Sequence, residues 1–258
     1  MYTKLLKHEC RANLRYLIPL YIILLFTTLT VIGISHISFF NDHLPFVTNM
    51  FYLGYVLSLI LLAAFTICLV IYRFYKNFMT GEGYLMFTLP VSTHELILSK
   101  FTTGMLSTIV TFSLIIASVL LVVNTTSYEV SLDSSIESNS LSYLVEYFGI
   151  ANIIYIVVLM ICAVAMQILF YYLCISIGQM ITQNKILGSL IAYIALGTIM
   201  QVVSLIVLVI IGLFVKNPND ILSYLHILLP IALIGTLIAI AVLYLVIHYI
   251  LKKKLNLE

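Results

Sequence analysis

The chain has 258 residues, 63% of them hydrophobic and only 9% charged, against roughly 45–50% apolar and about 25% charged in an ordinary soluble domain. Its mean hydropathy of +1.17 excludes a water-soluble globule, because so few charged side chains cannot cover the surface of a 29.1 kDa protein and the partner for the apolar surface must be lipid. A net charge of +2 is too small to imply nucleic acid, so its distribution matters more than its sum.

A membrane crossing takes about 20 apolar residues. Six stretches qualify, at 17–39, 51–72, 100–123, 150–177, 186–215 and 225–250. The expected fold class is therefore all-α, a polytopic integral membrane protein with six transmembrane helices in a single domain, 1–258. A transmembrane β-barrel is disfavoured, since barrel strands alternate apolar and polar residues over about ten positions and these runs are uniformly apolar.

Residues 1–16 set Leu5, Leu6 and Leu14 among Lys4, Lys7, Arg11 and Arg15, the pattern of an interfacial elbow helix on an anionic leaflet. The first span, at 17–39, is too long for a signal-peptide core and no small-residue cleavage site follows it. The second, from Phe51 to Ile71, holds thirteen Leu, Ile, Val or Phe residues and no charge. At roughly 0.3–0.6 kcal/mol each, they favour insertion by roughly 4–8 kcal/mol.

The stretch from Arg73 to Lys100, RFYKNFMTGEGYLMFTLPVSTHELILSK, is the most informative in the chain. Gly81 and Gly83 bracket Glu82 in a turn, and Tyr84, Leu85, Met86, Phe87 and Leu89 present more apolar surface than a solvated connector needs. Pro90 ends that element, because it lacks an N–H and restricts the residue before it. Ser92 and Glu95 then have the spacing of a capping box that starts the third helix. A short element over 78–90 is thus held between two helix ends, resting either on a partner or on the headgroups and the bundle's own base.

The external loop 124–149 opens with an acidic, polar stretch and continues with Leu141, Leu144, Val145 and Phe148 at helical spacing, which predicts a short amphipathic helix. In the fourth and fifth spans the polar residues Asn152, Gln167 and Gln201 either line a translocation path or hydrogen-bond between helices, at roughly 0.6 kcal/mol a bond. Gly188, Ala192 and Ala195 share one face of the fifth span and permit close approach of another helix. Tyr16, Tyr52, Tyr72, Tyr75, Tyr147, Tyr224 and Tyr249 fall near the span ends and form the interfacial belt in a chain with no Trp.

Eleven of the twelve Lys and Arg residues fall in alternate connections, all but Lys216. The positive-inside rule makes that side cytoplasmic and both termini with it. No loop on the opposite side carries a cysteine, which excludes a disulfide framework. No Asp, Glu, Lys or Arg lies in a span core, which argues against an ion-coupled carrier or voltage sensor. His36 and His248, near span ends, read as satisfied or solvated imidazoles. No H-E-x-x-H, G-x-S-x-G or phosphate-cradling G-x-x-x-x-G-K-[ST] occurs. The chain is expected not to be an enzyme and to bind no metal or cofactor, so energy for directional work must come from another chain.

Six spans with both ends inside, a basic leader and GEGYLMFTLPVSTHELILSK between the second and third spans resemble the membrane subunit of type-2 ATP-binding-cassette exporters. The resemblance implies a coupling helix seated on a separate ATPase subunit, a role that falls on Gly81 to Leu89 with Gly81, Glu82, Gly83, Tyr84, Leu85 and Phe87 as its contacts. The turn at Gln179 to Lys185 would be a smaller second contact. It also implies a second permease subunit, in a homodimer or heterodimer, with a path between the halves. The larger external elements of that family after the fifth span are missing, only Lys216 to Tyr224 being available. Small bacterial permeases that export amphipathic peptides such as phenol-soluble modulins are similar, so the expected localisation is the bacterial cell membrane and the expected cargo an amphipathic peptide. The alternative is an ATPase-independent channel or scaffold, which would need no docking element.

Overall fold

Inside a bilayer a backbone must satisfy its own hydrogen bonds, and uniformly apolar runs of this length do so as helices. The protein is seen here in a computed structural model that describes residues 2–37, 44–79, 92–126, 149–180, 185–214 and 221–253. Among these residues there are six helices and no strand: α1 (Tyr2–Ser35), α2 (Pro45–Met79), α3 (Thr93–Thr126), α4 (Ile150–Gly178), α5 (Lys185–Phe214) and α6 (Ile221–Lys253). All six are long and apolar enough to cross a membrane, and they point to a multi-pass membrane protein.

The helices outrun the expected spans. At 1.5 Å per residue, the 34 or 35 residues of α1, α2 and α3 reach about 50 Å, against about 30 Å of hydrocarbon. Residues 2–16, expected as a separate elbow, continue without a break into the first apolar run, with Pro19 inside the helix. Membrane helices tolerate such a proline because neighbouring groups re-satisfy the freed carbonyl. At its start α2 takes Pro45 as its first residue, where the missing N–H costs nothing and the ring pre-sets the helical φ. The Val47 and Thr48 amides donate to the Leu44 carbonyl at 3.0 and 3.4 Å. At its other end α2 runs to Met79, so residues 78 and 79 of the expected 78–90 element belong to its last turn. The expected amphipathic helix after Leu141 lies outside the described residues.

The chain divides into two compact units, residues 1–72 with 102–137 and residues 73–101 with 138–258. In the first unit, Leu24 and Val31 of α1, Tyr55 and Leu62 of α2 and Val122 of α3 form a buried cluster. Beside it, hydroxyl and amide groups join the helices. Tyr2 meets Thr102 at 3.0 Å, Asn13 donates to Ser107 at 3.0 Å, Tyr21 meets Thr111 at 2.9 Å, and Tyr55 meets Ser118 at 3.1 Å. Thr27 and Ser58, 3.0 Å apart, link α1 to α2. In hydrocarbon such bonds hold helices together where apolar contact alone gives little preference for protein over lipid.

In the second unit α4 is the central helix, packed along both α6 and α5, while α5 and α6 barely touch. Its start at Gly149 has φ +75°, a left-handed conformation that glycine adopts at no steric cost. Its end carries Gly178, where an added Cβ would lie 2.6 Å from the Cα and Cβ of Ser189 in α5. Only a residue without a side chain lets the two helices meet there. Of the small residues expected to share a face of α5, Gly188 and Ala192 are buried and Ala195 is exposed.

Candidate functional site

Gly81, Glu82, Gly83, Tyr84, Leu85 and Phe87 lie outside the described residues, but both chain ends that lead to them are described. On the outgoing side, the last two turns of α2 carry Phe74 and Phe78, one helical turn apart and each 0% exposed. Their rings lie 5.0 Å apart, centroid to centroid. Phe74 stacks on Tyr172 of α4 with centroids 3.9 Å apart and planes 10° from parallel. A run of RFYKNFM alternating basic and aromatic residues thus becomes a helix end with one face in the core and the other polar.

On the returning side, Ser92 caps α3. The Glu95 amide donates to its hydroxyl oxygen at 3.3 Å and the Leu96 amide to its carbonyl at 3.2 Å, the half of the capping box that satisfies helix donors. Leu96, Ile97, Ser99 and Lys100 follow, all buried. Tyr172 completes the clamp by donating its hydroxyl to the Lys100 carbonyl at 3.2 Å. One side chain of α4 therefore holds both flanks of the 80–91 stretch, by its ring on one side and its hydroxyl on the other.

A second cluster braces the start of α3 against α6. His94 Nδ1 and the Tyr244 hydroxyl are hydrogen-bonded, and the His94 and His248 rings stand edge to face with centroids 6.3 Å apart. His248 Nδ1 is buried and has no hydrogen-bond partner among the described residues, so the expectation of a satisfied or solvated imidazole holds for only part of the ring. The grouping is invisible to local sequence patterns because His94 lies 150 residues from Tyr244. The one local signal is the one-turn spacing of Tyr244 and His248 on α6. Among the described residues no three His, Cys, Asp or Glu side chains gather as a metal site, and the four cysteines are free thiols.

Gln179 ends α4, with its amide donating to the Ile175 carbonyl. Its side chain is buried and Nε2 has no partner among the described residues; residues 181–184 of the expected second contact lie outside them. The three candidate path residues do not share one environment. Asn152 is 2% exposed, whereas Gln167 and Gln201 are exposed. On α4, Gln167 lies opposite the face that buries Ala165, Ile168, Leu169, Tyr172 and Ser176.

No protein-family model, no curated protein and no solved structure matches this chain.

Proposed function

We propose that this chain is the permease subunit of an ATP-driven exporter in a bacterial cell membrane, with both termini cytoplasmic. It works with a separate ATPase subunit docked on Gly81 to Leu89 and moves amphipathic peptides or similar hydrophobic molecules out of the cell. The observation that supports this reading is the anchoring of the 80–91 stretch. A segment that transmits motion from a soluble engine must be fixed at both ends, or docking would bend the segment and leave the membrane helices where they were. Here the flanks are the core of a packed unit, with Phe74, Phe78 and Ile97 each 0% exposed and Tyr172 in contact with both. A solvated connector needs no such fixing.

The chain carries no phosphate-cradling motif, so ATP hydrolysis falls to the partner. With no charged residue in the span cores, the bundle suits lipid-like or amphipathic cargo better than ions. A path between two subunits would draw on the outward Gln167 rather than the buried Asn152. The test is co-purification with a nucleotide-binding subunit encoded beside this chain. Leu85→Asp with Phe87→Asp should abolish assembly or nucleotide-dependent coupling while the permease still inserts. Unchanged coupling would remove the docking assignment and favour an ATPase-independent channel or scaffold.

A further inference from the structure

The cluster that braces α3 against α6 holds more polar chemistry than packing requires. Tyr244 and His248 stand one turn apart on α6, where side chains lie one above the other, and His94 meets them from the first turn of α3. All three belong to the second compact unit. The rings of His94 and Tyr244 stand edge to face with centroids 5.5 Å apart, and those of His94 and His248 do the same at 6.3 Å. Apolar side chains of similar volume would fill this space without a polar atom to satisfy, yet His248 Nδ1 is buried and has no hydrogen-bond partner among the described residues. An unmet atom of this kind costs about 1–3 kcal/mol, so any group that meets it is stabilising.

Two neighbouring imidazoles suit a divalent ion of intermediate softness, zinc above all; calcium and magnesium take oxygen ligands instead. The ring positions show whether one ion is within reach of both. With a zinc–nitrogen distance of about 2.0–2.1 Å and a nitrogen about 1.2 Å from its ring centre, each centre lies about 3.2 Å from the ion. Two such centres are about 5.2 Å apart at the tetrahedral angle and about 6.4 Å apart in a line. The observed 6.3 Å falls inside that range. The ring planes are 86° from parallel, and a turn of His248 about its Cβ–Cγ bond re-aims its nitrogens while the ring centre stays in place. His94 keeps its hold on α6, because its Nδ1 is hydrogen-bonded to the Tyr244 hydroxyl and Nε2 is left to ligate. Metal-bound histidines are commonly fixed in this way, by a second group on the other ring nitrogen.

We propose that His94 Nε2 and a ring nitrogen of His248 hold one zinc ion between α3 and α6, with Tyr244 as the positioning residue that orients His94 and with water in the remaining coordination positions. Among the described residues no third His, Cys, Asp or Glu side chain joins them, so the site is open, unlike the closed four-ligand set of a structural zinc. His94 is exposed and gives the ion entry. Lys252, one turn beyond His248, is exposed too, and the solution around it screens its charge. A bound ion fastens the first turn of α3, three residues beyond the 80–91 stretch, to α6. The site stands whether or not an ATPase docks on that stretch.

The test uses the full chain in lipid nanodiscs, free of any histidine tag, stripped with EDTA and titrated with Zn2+ alone. A single zinc per chain is expected, with a rise in the thermal midpoint that neither His94→Gln nor His248→Gln shows. Tyr244→Phe keeps both ligands and should bind about 10-fold to 100-fold more weakly, the usual loss when the group that orients a ligand histidine is removed. A chain in which His8, His36, His43 and His226 are all replaced by glutamine should bind as the wild type does. Because a disturbed fold could also abolish binding, Cu2+ serves as a second probe. Electron spin echo modulation should show two coordinated imidazoles in the wild type and one in either single variant. Zinc retained equally by the wild type, His94→Gln and His248→Gln would make the metal adventitious and overturn the site. So would a wild-type copper spectrum with a single imidazole, or loss of zinc when the other four histidines are replaced.

Discussion

Tyr172 lies flat against Phe74, with ring centroids 3.9 Å apart, while its hydroxyl reaches past the ring to the Lys100 carbonyl. The two contacts differ in kind and separate by substitution. Tyr172→Phe keeps the stack and removes one buried hydrogen bond, an expected loss of about 0.5–1.5 kcal/mol. Tyr172→Ala also empties the space between α2, α3 and α4, an expected loss of about 3–5 kcal/mol. Thermal unfolding of the detergent-solubilised chain should rank wild type, Phe and Ala in that order. If Phe and Ala fall by the same amount, the ring is not packed as described.

The close approach at Gly178 has a sharper expectation. The atoms that an added methyl would strike belong to the Ser189 backbone and Cβ, and these cannot rotate away as the tip of a long side chain would. Gly178→Ala should therefore destabilise by about 1–3 kcal/mol through overpacking, and Gly178→Leu by more. Gly54→Ala in α2, with open space around it, serves as the control and should hold or raise the thermal midpoint, since alanine is favoured over glycine in a helix interior by about 0.5–1 kcal/mol.

At the start of α3 the capping bond from the Glu95 amide to Ser92 can be removed by Ser92→Ala at an expected cost of about 1 kcal/mol, whereas Ser92→Gly should cost only a few tenths. Amide hydrogen exchange at Glu95 reads this directly. It should accelerate in the alanine variant, and exchange that stays at the wild-type rate would show that Ser92 does not cap the helix.

Much of this architecture is legible in the sequence because lipid imposes a single strong constraint. Each of the six apolar runs becomes a helix, and the spacing of Ser92 and Glu95 is enough to mark the start of α3. What hydropathy cannot read is the part of a helix that leaves the hydrocarbon. The seven residues from Arg73 to Met79 look like a connector because Arg73 and Lys76 interrupt the apolar run, yet Phe74 and Phe78 sit one turn apart and carry the helix on through packing. Pro45 suits the first position of a helix, but the polar Thr48 and Asn49 that follow it obscure the signal. The clamp at Tyr172 depends on contacts 72 residues apart, and the bracing of His94 on contacts 150 residues apart. Neither leaves a local pattern.

His248 and Tyr244 should respond in opposite directions. Removing a buried nitrogen that has no partner relieves a desolvation penalty, whereas removing the Tyr244 hydroxyl gives up its hydrogen bond to the exposed His94, a net loss of about 0.5–1.5 kcal/mol at most. His248→Leu is expected to hold or raise the thermal midpoint, and Tyr244→Phe to lower it. A fall in both would mean that the His248 ring contributes more by its edge-to-face contact with His94 than its unmet nitrogen costs.

The hydroxyls around Thr111 offer a last test, through proton accounting. Thr111 lies 2.9 Å from Tyr21 and 3.2 Å from Thr66. Each threonine also has a backbone carbonyl of its own helix within reach, Ser107 for Thr111 and Leu62 for Thr66. A hydroxyl has one proton, so if both threonines donate to those carbonyls, the proton on the Tyr21–Thr111 bond comes from tyrosine and the Thr66–Thr111 contact carries none. A double-mutant cycle with Tyr21→Phe and Thr111→Val should then give a coupling near ~0.6 kcal/mol, the average for interhelical bonds in a membrane. The cycle with Thr66→Val and Thr111→Val should give a coupling near zero. Equal couplings in the two cycles would instead mean that one of the two threonines gives its proton to the other and that its bond to its own helix carbonyl, Ser107 for Thr111 or Leu62 for Thr66, is broken.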